Sequence, residues 1–295
     1  MITVFTPTYN RYGLLLNLKR SLDKQTDKDF EWIIVDDGSS DGTRELVNSW
    51  MNYSKYSIKY YLQKNSGKHI AYNKGVELAQ GNIFICVDSD DWLLEDAIEK
   101  IKLSFIKMQQ MKAIGIVYPR IDKFRRKYNN WNKIHSKLVD IIDLKEIYNI
   151  VESAIVIRTE ILKTKVPFEK FRDEKFLPES WLYLDLCKDG KFLAQNDGFY
   201  VSEYQADGLT KNLWKHWKNN YYGVSAILKK KYIVTKKYGF ILKEYTQFKV
   251  ILNINALCMA ADKNIFVVTP SKVKSILFFI PSWILYKIRY GDIGD

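Results

Sequence analysis

The run Ile83-Phe84-Ile85-Cys86-Val87, followed at once by Asp88-Ser89-Asp90-Asp91, constrains this chain more than any other stretch. A short unbroken apolar run reads as a strand buried on both faces, as in a parallel sheet covered by helices. Ligands of such sheets bind beyond the carboxyl ends of the strands. Three carboxylates crowded at that edge repel one another unless a cation is shared, and hard divalent cations take oxygen ligands. A metal ion holding a phosphorylated ligand resolves the crowding. A solvated acidic turn capping the next helix fits the same residues, so the motif alone leaves both readings open.

The surrounding residues favour the first. Residues 2–5, 32–35, 58–62, 83–87 and 114–118 read as strands, and 14–22, 45–51, 71–79 and 97–111 carry helical spacing. This order predicts an α/β fold with a Rossmann-like, mainly parallel central sheet. Beyond Tyr118 the alternation fails. Residues 120–137 are basic and aromatic and read as a long loop, 154–157 as a strand, and Pro178 opens a helix through Trp181, Leu182, Leu184 and Leu186. From about 211 the pattern is helical and basic. The expected division is a catalytic domain over 1–210 and a helical extension over 211–295.

Charge follows that division. The net charge is +12, yet residues 211–295 hold 15 Lys/Arg against 4 Asp/Glu, while 1–210 are nearly balanced. The last third should therefore meet something anionic, either nucleic acid or lipid. Three widely spaced cysteines and three histidines support neither a disulfide framework nor structural zinc. The first strand signal begins at Ile2, which leaves no room for a signal peptide, so a cytosolic, reduced protein is expected.

Two more strand ends carry polar turns, Thr6-Pro7-Thr8-Tyr9-Asn10-Arg11 and Asp36-Asp37-Gly38-Ser39-Ser40-Asp41-Gly42-Thr43. Three such turns at one sheet edge suit a nucleotide, with Tyr9 against a base and Asp37 accepting from a base N–H. Asp41 and Thr43 read as the start of the following helix. These motifs, with Gly67-Lys68-His69-Ile70-Ala71-Tyr72-Asn73-Lys74-Gly75 and Asp88-Ser89-Asp90-Asp91, resemble the family 2 glycosyltransferases of GT-A fold in order and spacing. The resemblance implies an inverting sugar transferase that uses a UDP-sugar and Mn²⁺ or Mg²⁺. By position it implies that Pro7, Tyr9 and Asp37 hold the nucleoside and that Lys68 and Asn73 approach the base or diphosphate. Asp88, with Ser89, would contact ribose or sugar. Asp90 and Asp88 would serve the metal, and Asp91 would either join them or support the next helix.

An acceptor hydroxyl needs a general base. The family's Glu-Asp pair corresponds here to Glu179-Ser180, so Glu179 is the expected base and Asp185 the reserve. The Gln-x-x-Arg-Trp motif of processive synthases is absent, which favours addition of one sugar per encounter. A nucleotidyltransferase would more often open with a Gly-rich phosphate loop, which residues 7–11 lack. A nucleic-acid-binding tail fits poorly with the apolar run at 276–286. That run has 11 residues, too few to span a bilayer, and is interrupted by Pro281 and flanked by Lys272, Lys274, Lys287 and Arg289. A buried helix and an interfacial segment on anionic lipid both fit; the cations, Trp283 and Tyr286 favour the second. The expectation is a cytoplasmic enzyme, peripheral on the inner face of the membrane, acting on a lipid-linked oligosaccharide and not on nucleic acid.

Overall fold

The computed structural model describes residues 1–203 and 212–291. The chain divides into two compact units, Met1–Phe168 with Asp185–Gln205 and Glu169–Leu184 with Ala206–Asp295. The division expected between 210 and 211 lies outside the described residues.

The first unit opens with β1 (Ile2–Thr8), α1 (Tyr12–Asp23), β2 (Phe30–Asp36), α2 (Thr43–Met51), β3 (Ser57–Leu62), α3 (Lys68–Leu78) and β4 (Ile83–Cys86). It continues through β5 (Trp92–Leu93), α4 (Ala97–Gln110), β6 (Gly115–Ile121), β7 (Leu138–Val139), α5 (Asp143–Glu146), β8 (Ser153–Arg158) and α6 (Thr159–Lys163). After α7 (Ser180–Leu186) come β9 (Phe192–Ala194) and β10 (Tyr200–Val201). The strands lie in the order β3-β2-β1-β4-β8-β6-β10-β5, with β9 pairing β6 and β7. β1 and β2 are buried along their whole length. Two pairs satisfy polar side chains within them: Trp32 Nε1 donates to Thr6 Oγ1 at 2.9 Å and Thr3 Oγ1 donates to Glu31 Oε1 at 2.6 Å.

Strands β3, β2, β1 and β4 are parallel, as the alternation predicts. β8 departs from that pattern and runs antiparallel between β4 and β6. A parallel insertion there would need a crossover to the other edge, whereas residues 122–152 bring the chain back at the edge where β6 ends, with Ser153 paired to Pro119. Helix α3 lies hard against β1 at Gly75, where a Cβ would stand 2.3 Å from the Phe5 ring. Phe5 in turn stacks on Phe84 with ring centres 5.4 Å apart.

The second unit contains α8 (Leu213–Asn219), α9 (Tyr221–Val234), α10 (Phe240–Ala260), α11 (Ile265–Val268), α12 (Lys272–Leu277) and α13 (Phe279–Tyr290). Its core joins Val224, Leu228 and Tyr232 of α9 to Val250, Ile251, Ile254 and Leu257 of α10. Residues 169–184 are bound into it by polar bonds. Glu174 accepts the N–H groups of Tyr222 and Gly223 at 2.7 Å each, and Asn220 Oδ1 accepts those of Lys175 and Phe176 at 3.0 Å each. An acid at the N-terminus of α9 also complements the helix dipole. Among the described residues no helix is long and apolar enough to cross a membrane.

Candidate active site

Parallel register sets the site. Thr8 pairs with Asp36 and Phe5 with Cys86, so β1, β2 and β4 deliver their carboxyl ends to one edge. The turns beyond them interlock. Asn10 N–H donates to Ser39 Oγ and Ser40 N–H to Asn10 Oδ1, both at 2.8 Å, while Tyr12 N–H reaches Asp41 Oδ2 at 2.9 Å. Asn10 adopts φ 50°, a left-handed conformation that Asn tolerates better than most residues. Asp41 also accepts from Thr43 N–H and Thr43 Oγ1, the helix-start role its position predicts. Pro7 is buried within β1, and Tyr9 stands exposed at its end.

The two acids after β2 order different turns. Asp36 accepts from Ser39 N–H and Tyr60 Oη, at 2.7 Å each. Asp37 accepts from Gln63 Nε2 and Ser66 N–H at 2.7 Å and Gly67 N–H at 2.8 Å. Asp37 thereby fixes the turn leading into α3, and Gly67 allows it by adopting φ 96°.

Lys68, the first residue of α3, donates Nζ to Asp88 Oδ1 at 2.6 Å, and Arg120 at the end of β6 stands 3.8 Å from Asp88 Oδ2. Burial alone would raise the Asp88 carboxyl; the two cations outweigh it and hold the group below the ordinary carboxylate range. Ser89 and Asp91 are buried. Asp91 Oδ2 accepts from Tyr200 Oη at 2.8 Å and lies 3.3 Å from Arg120, while Tyr200 Oη also accepts from Asp88 N–H at 3.0 Å. Burial, then the charge of Asp88, pushes the Asp91 carboxyl up to about 7. Asp90 is raised for the same two reasons. Its carboxylate makes no ion pair or hydrogen bond with any other described residue.

Carboxylate oxygens on one turn suit a hard divalent cation, and one held by Asp88 and Asp90 would relieve the repulsion that raises Asp90. Asp91, expected either to join the metal or to support the next helix, is engaged by Tyr200 and Arg120. Asn73, expected to approach the base or the diphosphate, has a structural bond in α3. Its Oδ1 accepts the N–H of Phe168 at 2.7 Å, tying that segment to α3. Glu179 opens α7, its carbonyl accepting Leu182 N–H at 3.0 Å and its Oε2 accepting from Tyr183 Oη at 2.7 Å. Asp185 lies in the last turn of the same helix, six residues on. The structure thus gathers Lys68, Asp88, Ser89, Asp90 and Asp91 at one edge of the first unit, and it adds Arg120 and Tyr200. Arg120 fell within the stretch read as a loop; its one sequence signal is a cation closing a buried apolar run.

A mainly parallel sheet whose strand ends converge on cation-flanked carboxylates is the arrangement of a GT-A-like fold. The family description "Glycosyl transferase family 2" matches residues 3–164, and the chain belongs to that family. It is 35% identical over 102 residues to the GalNAc(5)-diNAcBac-PP-undecaprenol beta-1,3-glucosyltransferase of Campylobacter jejuni, covering 34% of this chain and 33% of that one. Its fold is similar to Staphylococcus aureus TarS 1–349 solved with UDP-GlcNAc, at TM-score 0.57 and 17% identity, over 98% of this chain and 89% of that one. It is also similar to the mannosyltransferase PcManGT of Pyrobaculum calidifontis solved with GDP-Man and Mn²⁺, at TM-score 0.58 and 16% identity, covering 98% and 81%. The matched segments span less than half the length of the curated relatives.

Proposed function

We propose that the chain transfers one sugar from a UDP-sugar to a lipid-linked saccharide, with inversion at the anomeric carbon, at the cytoplasmic face of a bacterial membrane during surface-polysaccharide synthesis. The observation that carries this reading is Asp88, held between Lys68 and Arg120 beside Asp90, where three parallel strands end. Pro7, Tyr9, Asp37 and Ser89 contact the nucleoside and ribose, and Asp88 orients the donor sugar. Lys68 opens α3, where a cation and a helix N-terminus together favour a diphosphate.

Asp90 and Asp88 would hold Mn²⁺ or Mg²⁺, which supplies Lewis-acid stabilisation of the charge that grows on the departing UDP. The acceptor hydroxyl attacks the anomeric carbon from the side opposite UDP, through an oxocarbenium-like state. Glu179 takes the hydroxyl proton, and Asp185 is the alternative base. The TarS complex with UDP-GlcNAc supports the nucleotide, PcManGT the cation, and the C. jejuni relative the lipid-linked acceptor. The basic second unit has an anionic membrane surface as its partner.

A panel of UDP- and GDP-sugars, offered with an undecaprenyl-diphosphate saccharide extract, tests this reading. Acceptor-dependent release of UDP and a product of opposite anomeric configuration are expected. Preference for a GDP-sugar, or release of pyrophosphate from a nucleoside triphosphate, would overturn it.

A further inference from the structure

Residues 263–291 carry five Lys/Arg and no Asp/Glu. Within them α12 and α13 follow one another through Phe278, whose N–H bonds Lys274 O and whose carbonyl accepts from Ser282 N–H. The polarity of this pair is reversed relative to an ordinary surface helix. Its buried residues are Ser275, Ser282 and, at the end of α13, Tyr290, whereas Val273 (76%), Ile276 (64%), Ile280 (70%) and Ile288 (75%) are exposed, with Trp283 and Ile284 about half exposed. Asn255 of α10 fixes the buried side by donating Nδ2 to Ser275 O at 3.1 Å and Ser282 Oγ at 3.2 Å. Residues 276, 280, 284 and 288 recur every four positions and form one face. Lys272 and Lys287 lie exposed along the same pair, and Lys287 Nζ stands 5.7 Å from the Trp283 ring centre.

A core segment would bury those isoleucines, and α13, at about 18 Å for 12 residues, cannot cross a hydrocarbon layer of about 30 Å. A second copy of the chain is disfavoured, because an isologous contact sets the same cations against themselves with no acid from this segment to pair them. A lipid surface matches both properties, apolar below and anionic above. We propose that α12 and α13 form an interfacial pair that lies flat on an anionic bilayer. Ile276, Ile280, Trp283 and Ile284 enter the acyl boundary, and Lys272 and Lys287 remain at the headgroups. This deepens the membrane partner named above; it rests on that reading only for the lipid-linked acceptor, and vesicle binding is measured without sugar transfer.

Flotation of the full chain with vesicles of phosphatidylcholine alone, and of phosphatidylcholine with phosphatidylglycerol, tests it. The parent protein should float with the mixed vesicles. The pair Ile280→Asp/Ile284→Asp should lose at least about tenfold in partitioning, since a buried Asp is costly in the acyl region. Lys272→Glu/Lys287→Glu should lose about tenfold and retain little salt dependence. UDP-sugar hydrolysis should persist in both. Equal partitioning of parent and aspartate pair would overturn the proposal, as would a parent that fails to float. So would a dimer in sedimentation velocity that the aspartate pair dissociates, which would assign the face to a second copy. Should the aspartate pair fail to fold, quenching by brominated phosphatidylglycerol decides, because it should fall in Trp283→Phe; unchanged quenching would overturn insertion.

Discussion

Three neighbouring aspartates have three different situations, each set by its partners. Asp88 is held ionised by Lys68 and Arg120, Asp91 is engaged by Tyr200 and Arg120, and Asp90 has no such bond among the described residues. Asp90→Asn should therefore leave the melting temperature nearly unchanged, as substitutions that break no contact do. Transfer should fall about 100-fold or more, because a group that organises charge stabilisation is lost, and excess chelator should silence the parent likewise. Activity of the parent in chelator equal to that without it would remove the cation from the mechanism. Tyr200→Phe takes two bonds from the same turn and removes the acceptor of Asp88 N–H, so it should cost about 1–3 kcal/mol in urea unfolding as well as activity. A variant with parental stability would show that the hydroxyl holds nothing. The acids were legible because they adjoin in sequence behind an apolar run. Tyr200 was not, since its partner lies 109 positions away and an aromatic in a two-residue strand reads as core.

At the scale of elements, one buried acid joins what the alternating pattern leaves separate. Glu31 of β2 is almost fully buried, and it accepts from Thr3 Oγ1, Gln80 N–H, Gly81 N–H and Lys59 Nζ. It thereby links β1, β3 and the turn before β4. Burial pulls its carboxyl up, but Lys59 and the other donors prevail and hold it below the usual range. The unfolded group titrates near 4.3, so its contribution is complete above about that pH and is lost as pH falls through the lower folded value. Glu31→Gln should then cost about 2–3 kcal/mol at neutral pH. The gap from the parent should narrow near pH 3, and urea unfolding at both pH values checks this; an unchanged gap would assign the cost to packing. The long strands and helices of this half were legible in the apolar periodicity. β5, β7, β9 and β10 were not, since two or three residues carry no period, and the antiparallel entry of β8 depends on how a 31-residue return is routed.

At the scale of the whole chain, the residues proposed for the donor site, Lys68, Asp88 and Asp90, belong to the first unit, and the proposed base Glu179 belongs to the second. Composition located the helical half but not residues 169–184, because their membership rests on Glu174 and Asn220 reaching backbone groups 44 to 49 positions away. That membership sharpens the test of the base. Glu179→Gln keeps the side chain's shape and its bond to Tyr183, and no donor-binding group is altered. UDP binding by calorimetry should stay at the parental value. Acceptor-dependent turnover should fall about 100- to 10,000-fold, the range for loss of a general base. Asp185→Asn should spare most of the turnover, since six helical residues rotate it about 240° from Glu179. The reverse ranking, with Asp185→Asn the more damaging, would move proton abstraction to Asp185. Loss of UDP affinity in Glu179→Gln would instead make Glu179 a donor contact.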